Sequence, residues 1–247
     1  MKTNRRTATV AGVFFIIAAV AAIIGLILYN PILHDTNYIL KGSENEAQIK
    51  WGAFFEIITA FAVIGTAVTL FPVLKKYNET MAIGTVTFRL LEATIIIIGI
   101  MSLLTILTLN QQYSVENNAN NSTYLVNGRL LVALHDWTFL FGPMIVLGPS
   151  TFMTSYLLYR SKLVSSFISV LGMVAGPLVS ASGTMAMFGI YTQVSVIGAL
   201  TCLPVFIYEM SLAIWLLSKG FKQEEKIQET KVDLQFYANA VTAKTGR

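Results

Sequence analysis

Six ionisable side chains interrupt otherwise apolar stretches of this chain: Glu56, Arg89, Glu92, His135, Asp136 and Glu209. Near the centre of a bilayer such a group costs about 2.5–3.5 kcal/mol on insertion scales, so it normally faces a bundle interior and has a partner. Their spacing sorts them into two layers. Arg89 and Glu92 are three residues apart, share a helix face and can pair. Glu209 falls at a similar depth in a later stretch, so the three can meet if those two helices pack together. The result would be either a buried clasp that fixes helix packing or something more. Two carboxylates against one guanidinium leave one acid uncompensated, and such an acid can carry a proton.

The second layer holds Glu56 with the adjacent His135 and Asp136. Neighbouring residues on a helix point about 100° apart, so one of the pair can face the core and the other a neighbouring helix. Arg129 precedes Asp136 on the same stripe and can cover it from the interface. A histidine between carboxylates suits a proton relay, a metal site or a hydrogen-bonded clasp. A metal would need at least three ligands, drawn from His135, Asp136, Glu56 and the pair His34–Asp35. Only two histidines and no spaced motif such as HExxH are present, so no metal and no cofactor is expected.

The stretch that carries the pair, "RLLVALHDWTFLFGPMIVLGP" (129–149), breaks twice, at Gly142-Pro143 and Gly148-Pro149. Each proline removes a backbone hydrogen bond and permits a kink. Two such steps in one span resemble the interrupted helices that line transporter cavities. Gly172 and Gly176 add a small-xxx-small face of the kind that packs helices closely.

These residues need helices to position them, and the composition points to membrane helices. Of 247 residues, 55% are hydrophobic and only 12% charged, with a mean hydropathy of +0.65. Soluble domains carry about 25% charged residues. A span needs roughly 20 apolar residues, and the chain offers six: 10–29, 51–74, 81–109, 130–159, and a long uncharged run that divides near "GIYTQ" into 164–189 and 194–218. The expected architecture is an all-α bundle of six transmembrane helices over residues 1–220, followed by a polar tail, 221–247, with a short helix around 224–235. Lys2, Arg5, Arg6, Lys75, Lys76, Arg160, Lys162, Lys219 and Lys222 flank alternate ends of the spans, which places both termini in the cytoplasm. "MKTNRR" followed by "AAVAA" imitates a cleavable signal peptide, but the apolar run continues through "IIGLILY", longer than a signal core. The net charge of +4 sits in these short clusters and carries no nucleic-acid motif. Cys202 is the only cysteine, so no intrachain disulfide can form. The loop 110–127 is polar and Asn-rich, with sequons at Asn120 and Asn121 that matter only where glycosylation occurs.

"RRTATVAG" (5–12), "FRLLE" (88–92), "LHDWTF" (134–139) and "EMSLAIWLLSKG" (209–220) together resemble the bacterial membrane family catalogued as domain of unknown function 4386. The resemblance covers most of residues 5–220. It implies a six-helix plan in a bacterial plasma membrane and carries no activity over. The residues themselves favour a small-molecule or proton-coupled transporter, whose partners are the bilayer and a small solute or ion. The layers would then form a relay, with Glu209 or Glu92 protonating and His135 at the outer entrance. Two alternatives stay open: an accessory protein whose ion pairs only lock the helices, and an intramembrane hydrolase using His135, Asp136 and Glu56. No serine sits in a nucleophile motif, which counts against acyl-enzyme chemistry.

Overall fold

Hydrocarbon offers no partner to a backbone N–H or C=O, so a spanning segment has to close its hydrogen bonds internally as a helix. The structure, a computed structural model, describes residues 2–34, 38, 45–115, 121–193 and 195–222. Its helices are α1 (Lys2–Leu28), the short α2 (Asn30–His34), α3 (Glu46–Leu74), α4 (Glu79–Val115), α5 (Asn121–Leu140), α6 (Leu147–Ser161), α7 (Ser166–Met187) and α8 (Val196–Ser218). A π-helical turn, Phe141–Val146, joins α5 to α6 into one continuous rod. Six helical stretches are long and apolar enough to cross a membrane, and no strand occurs among the described residues. The expected helix at 224–235 and the sequon residue Asn120 lie outside the described residues.

Several helices run past the apolar boundaries read from sequence: α1 starts at Lys2, α3 at Glu46 and α5 at Asn121, and α4 continues to Val115. Helical hydrogen bonding does not stop where apolarity stops, and polar residues on the extension find partners. Gln111 donates to the Glu46 carboxylate at 2.9 Å, and Glu46 also pairs with Lys50. The division of the long uncharged run falls at its glycine. Gly189 adopts φ +74°, a left-handed conformation that suits glycine. Across the turn the Tyr191 hydroxyl donates to the Ser182 carbonyl (2.9 Å), and the Ser182 hydroxyl lies 2.6 Å from that of Thr201.

In sequence order the spans pack against their neighbours, and α1 closes on α8 as well as on α3, so they form a ring. Large side chains such as Phe61, Met101, Val174 and Ile214 point outward, as a lipid-facing surface requires. The interior favours small residues, among them Ala8, Ala11, Ala60, Ala67 and Ala213. Without a hydrophobic force between helices in lipid, close backbone approach supplies much of the packing energy. The α6–α7 contact shows this most plainly. A Cβ on Gly148 would run into the Gly176 carbonyl and the Ser180 hydroxyl, and one on Gly176 would lie 2.6 Å from the Gly148 carbonyl. At one end of the ring Arg5 donates to the carbonyls of Leu217 (2.8 Å) and Ser218 (3.1 Å), capping the end of α8.

Because the obstacles at Gly148 are the Gly176 carbonyl and the short side chain of Ser180, which is itself held by a hydrogen bond, Gly148→Ala should destabilise the protein by about 1–3 kcal/mol or more. Thermal unfolding in detergent, followed by circular dichroism, will show a lowered midpoint; an unchanged midpoint would contradict the close α6–α7 packing.

Candidate functional site

The FRLLE stretch places Arg89 and Glu92 on one face of α4, turned into the ring. From there the Arg89 guanidinium reaches Glu209 on α8 at 2.6 Å and Glu92 at 3.4 Å. The two helices are not neighbours in the ring, so the expected direct packing of spans three and six is replaced by the reach of one arginine across the interior. Arg89 and Glu92 are almost completely buried, whereas the Glu209 side chain keeps 20% of its surface exposed. The aromatic face of Phe15 on α1 lies 6.0 Å from the guanidinium. Glu209 is therefore the close partner of Arg89, and Glu92 is the buried carboxylate held at arm's length.

Next to Glu209, Tyr208 is fully buried, with its ring and the Ser155 hydroxyl both seated against Gly172. The hydroxyls of Thr151, Ser155 and Tyr208 are buried here, and those of Ser155 and Tyr208 lie beside each other. None of the three stood out in the sequence. The signal was present in Gly172, whose missing side chain admits Tyr208.

The Gly-Pro steps act on the backbone between the two layers. Pro143 cannot donate to the carbonyl four residues back, and around it the helix widens so that Leu147 N–H bonds to the Gly142 carbonyl, five residues behind. Pro149 leaves the Ile145 carbonyl without its helical donor. The Ser180 hydroxyl of α7 takes over that bond at 2.8 Å. Gly142 packs on Ile95 and on the Glu92 carbonyl, which sets the π turn beside the loosely held acid.

The second layer is assembled differently from its sequence reading. His135 is buried, but Asp136 turns away from it and is 65% exposed; their closest approach is 3.6 Å, longer than a hydrogen bond. Arg129 is also exposed and makes no ion pair with Asp136. The neighbours of His135 are instead Tyr29, with rings edge-to-face at 5.9 Å, and Phe139, stacked at 6.3 Å. Glu56 completes the group and is close enough to interact electrostatically with both His135 and Tyr29. Among the described residues no Lys or Arg pairs with Glu56.

Glycines make room for each of these side chains. The Tyr29 ring lies over Gly52 of α3, and the Glu56 side chain lies over Gly25 of α1. Gly52 and Glu56 are four apart on α3, as Gly25 and Tyr29 are at the end of α1, so each helix offers a glycine to the other's polar residue. Gly99 on α4 gives way to Thr138 and His135. Tyr29 was the residue missed in the sequence, because tyrosine at a span end is ordinary. The paired spacing of glycine and polar residue was the legible clue.

No three of His, Cys, Asp and Glu come together as a metal would need among the described residues. The side chain of His34 and the whole of Asp35 lie outside that description. Glu92 and Gly99 share a face of α4 about 10 Å apart, so the two layers lie one above the other along that helix.

Replacing Arg89 by Ala strands two carboxylates inside the ring and should cost about 3–5 kcal/mol. Ser180→Ala, which orphans only the Ile145 carbonyl, should cost about 1 kcal/mol. Thermal unfolding in detergent ranks the two; equal midpoints for both variants would contradict the central role of the guanidinium.

The chain matches no curated protein and no solved structure. A family model described as domain of unknown function matches residues 10–220. That stretch contains all six ionisable positions and both Gly-Pro steps, so this multi-pass membrane protein belongs to the domain of unknown function 4386 family.

Proposed function

We propose that the protein is a proton-coupled transporter of a small solute in a bacterial plasma membrane, with both termini in the cytoplasm. The observation that carries this reading is one buried guanidinium shared unequally by two carboxylates, 2.6 Å from Glu209 and 3.4 Å from Glu92. One guanidinium serves both Glu209 and Glu92, with the longer bond to Glu92, so the buried pair of carboxylates falls one positive charge short. A proton relieves it, and a proton that comes and goes is what coupled transport requires. The π turn packed on the Glu92 carbonyl supports the same reading, since π turns often mark functional positions in helices. Basic residues at the ends of alternate spans support the orientation.

A second reading has its own support. The short Arg89–Glu209 contact joins helices that are not neighbours in the ring, which suits a purely structural clasp in an accessory protein.

Glu92→Gln separates them. In proteoliposomes loaded with a pH-sensitive dye, the transport reading expects proton flux to fall at least about tenfold while thermal stability is kept, because the amide removes the titrating group and preserves its shape. Equal flux for wild type and Glu92→Gln sinks the relay and leaves the clasp.

A further inference from the structure

Two buried polar atoms in the second layer, Tyr29 Oη and His135 Nδ1, have no hydrogen-bond partner among the described atoms. They come from different elements, the end of α1 and α5, yet their rings touch at 5.9 Å. Glu56 of α3 is near enough to feel both, and among the described residues no Lys or Arg pairs with it. Burying three such groups together is costly unless something joins them. The chain has nevertheless shaped itself around them, since Gly25, Gly52 and Gly99 each withhold a side chain where Glu56, Tyr29 and His135 pass.

We propose that Tyr29, Glu56 and His135 bind the primary ammonium group of a small amine. The chemistry of the three groups defines the ligand. Glu56 supplies a carboxylate that needs a positive charge. The carboxylate, the Tyr29 oxygen and the His135 nitrogen are three acceptors, and a primary ammonium has three N–H donors. The perpendicular rings of Tyr29 and His135 form a corner whose faces favour a cation, and Phe139 stacked behind His135 extends the apolar wall along which an alkyl tail can lie. Asp136 is 65% exposed, and its carboxylate lies 3.6 Å from the His135 Nδ1, so it adds negative charge at the edge of the site. Ile32 of α2 and Tyr38 pack with Tyr29 in one apolar cluster.

The site stands apart from the Arg89–Glu92–Glu209 group; only its role as the solute position of a transporter rests on the transport reading. Equilibrium binding of radiolabelled methylammonium to the purified full-length protein tests it. Binding should be saturable, and tetramethylammonium, a cation without N–H donors, should compete at least about tenfold more weakly. Potassium should compete no better. Glu56→Gln should weaken binding roughly 100-fold, and Tyr29→Phe, which removes one oxygen and leaves the packing over Gly52, about tenfold. Equal competition by tetramethylammonium or potassium overturns the site, and so does undiminished binding by Tyr29→Phe. Methylammonium binding in a protein whose proton flux ignores Glu92→Gln keeps the site and removes the transport reading. Proton flux that depends on Glu92 with no methylammonium binding removes the site alone.

Discussion

One arginine holds the middle of this ring together. Arg89 crosses from α4 to Glu209 on α8, between helices that are not neighbours in the ring, and carries Glu92 with it from its own face. In water such a pair would contribute little. Inside a bundle each of its charges depends on the other two, so the position of α8 relative to α4 is tied to a contact of 2.6 Å. Around it the ring supplies what a buried cation needs: an aromatic face from Phe15 and small residues that let the helices approach.

The same economy governs the backbone. A proline in a membrane helix frees a carbonyl that lipid cannot satisfy, and the chain answers in two ways. Around Pro143 the helix widens by one residue per turn, so that its own N–H groups reach one carbonyl further back. At Pro149 the answer comes from another helix, in the Ser180 hydroxyl. Gly148 and Gly176 are what let α7 come close enough to give it. Helix packing and helix distortion are therefore one event at this contact.

The two polar layers differ in how their charge is met. The Arg89 layer contains its own cation and falls short by one positive charge. The Tyr29 layer contains a carboxylate, a phenol and an imidazole, and among the described residues no Lys or Arg pairs with them. Both lie along α4, with glycines on the surrounding helices setting their shape. A solute or proton passing between them would move along one helix face beside the π turn.

Much of the architecture was legible in the residues. Charge-poor runs of span length dictated six helices, because hydrocarbon accepts no other way of closing backbone hydrogen bonds. The i,i+3 spacing of Arg89 and Glu92 dictated a shared face, and the Gly-Pro steps dictated where the ladder would change. Pairing across the chain was not legible. His135 and Asp136 are adjacent in sequence, and helix geometry says only that they diverge; which one turns inward depends on where Gly99 leaves room. Tyr29 became part of a site only because α1 ends opposite Gly52. Local spacing follows from the covalent chain and the helix period, so the sequence alone determined it. Which polar group meets which partner depends on how closely two helices approach, and that was decided by tertiary packing at a handful of glycines.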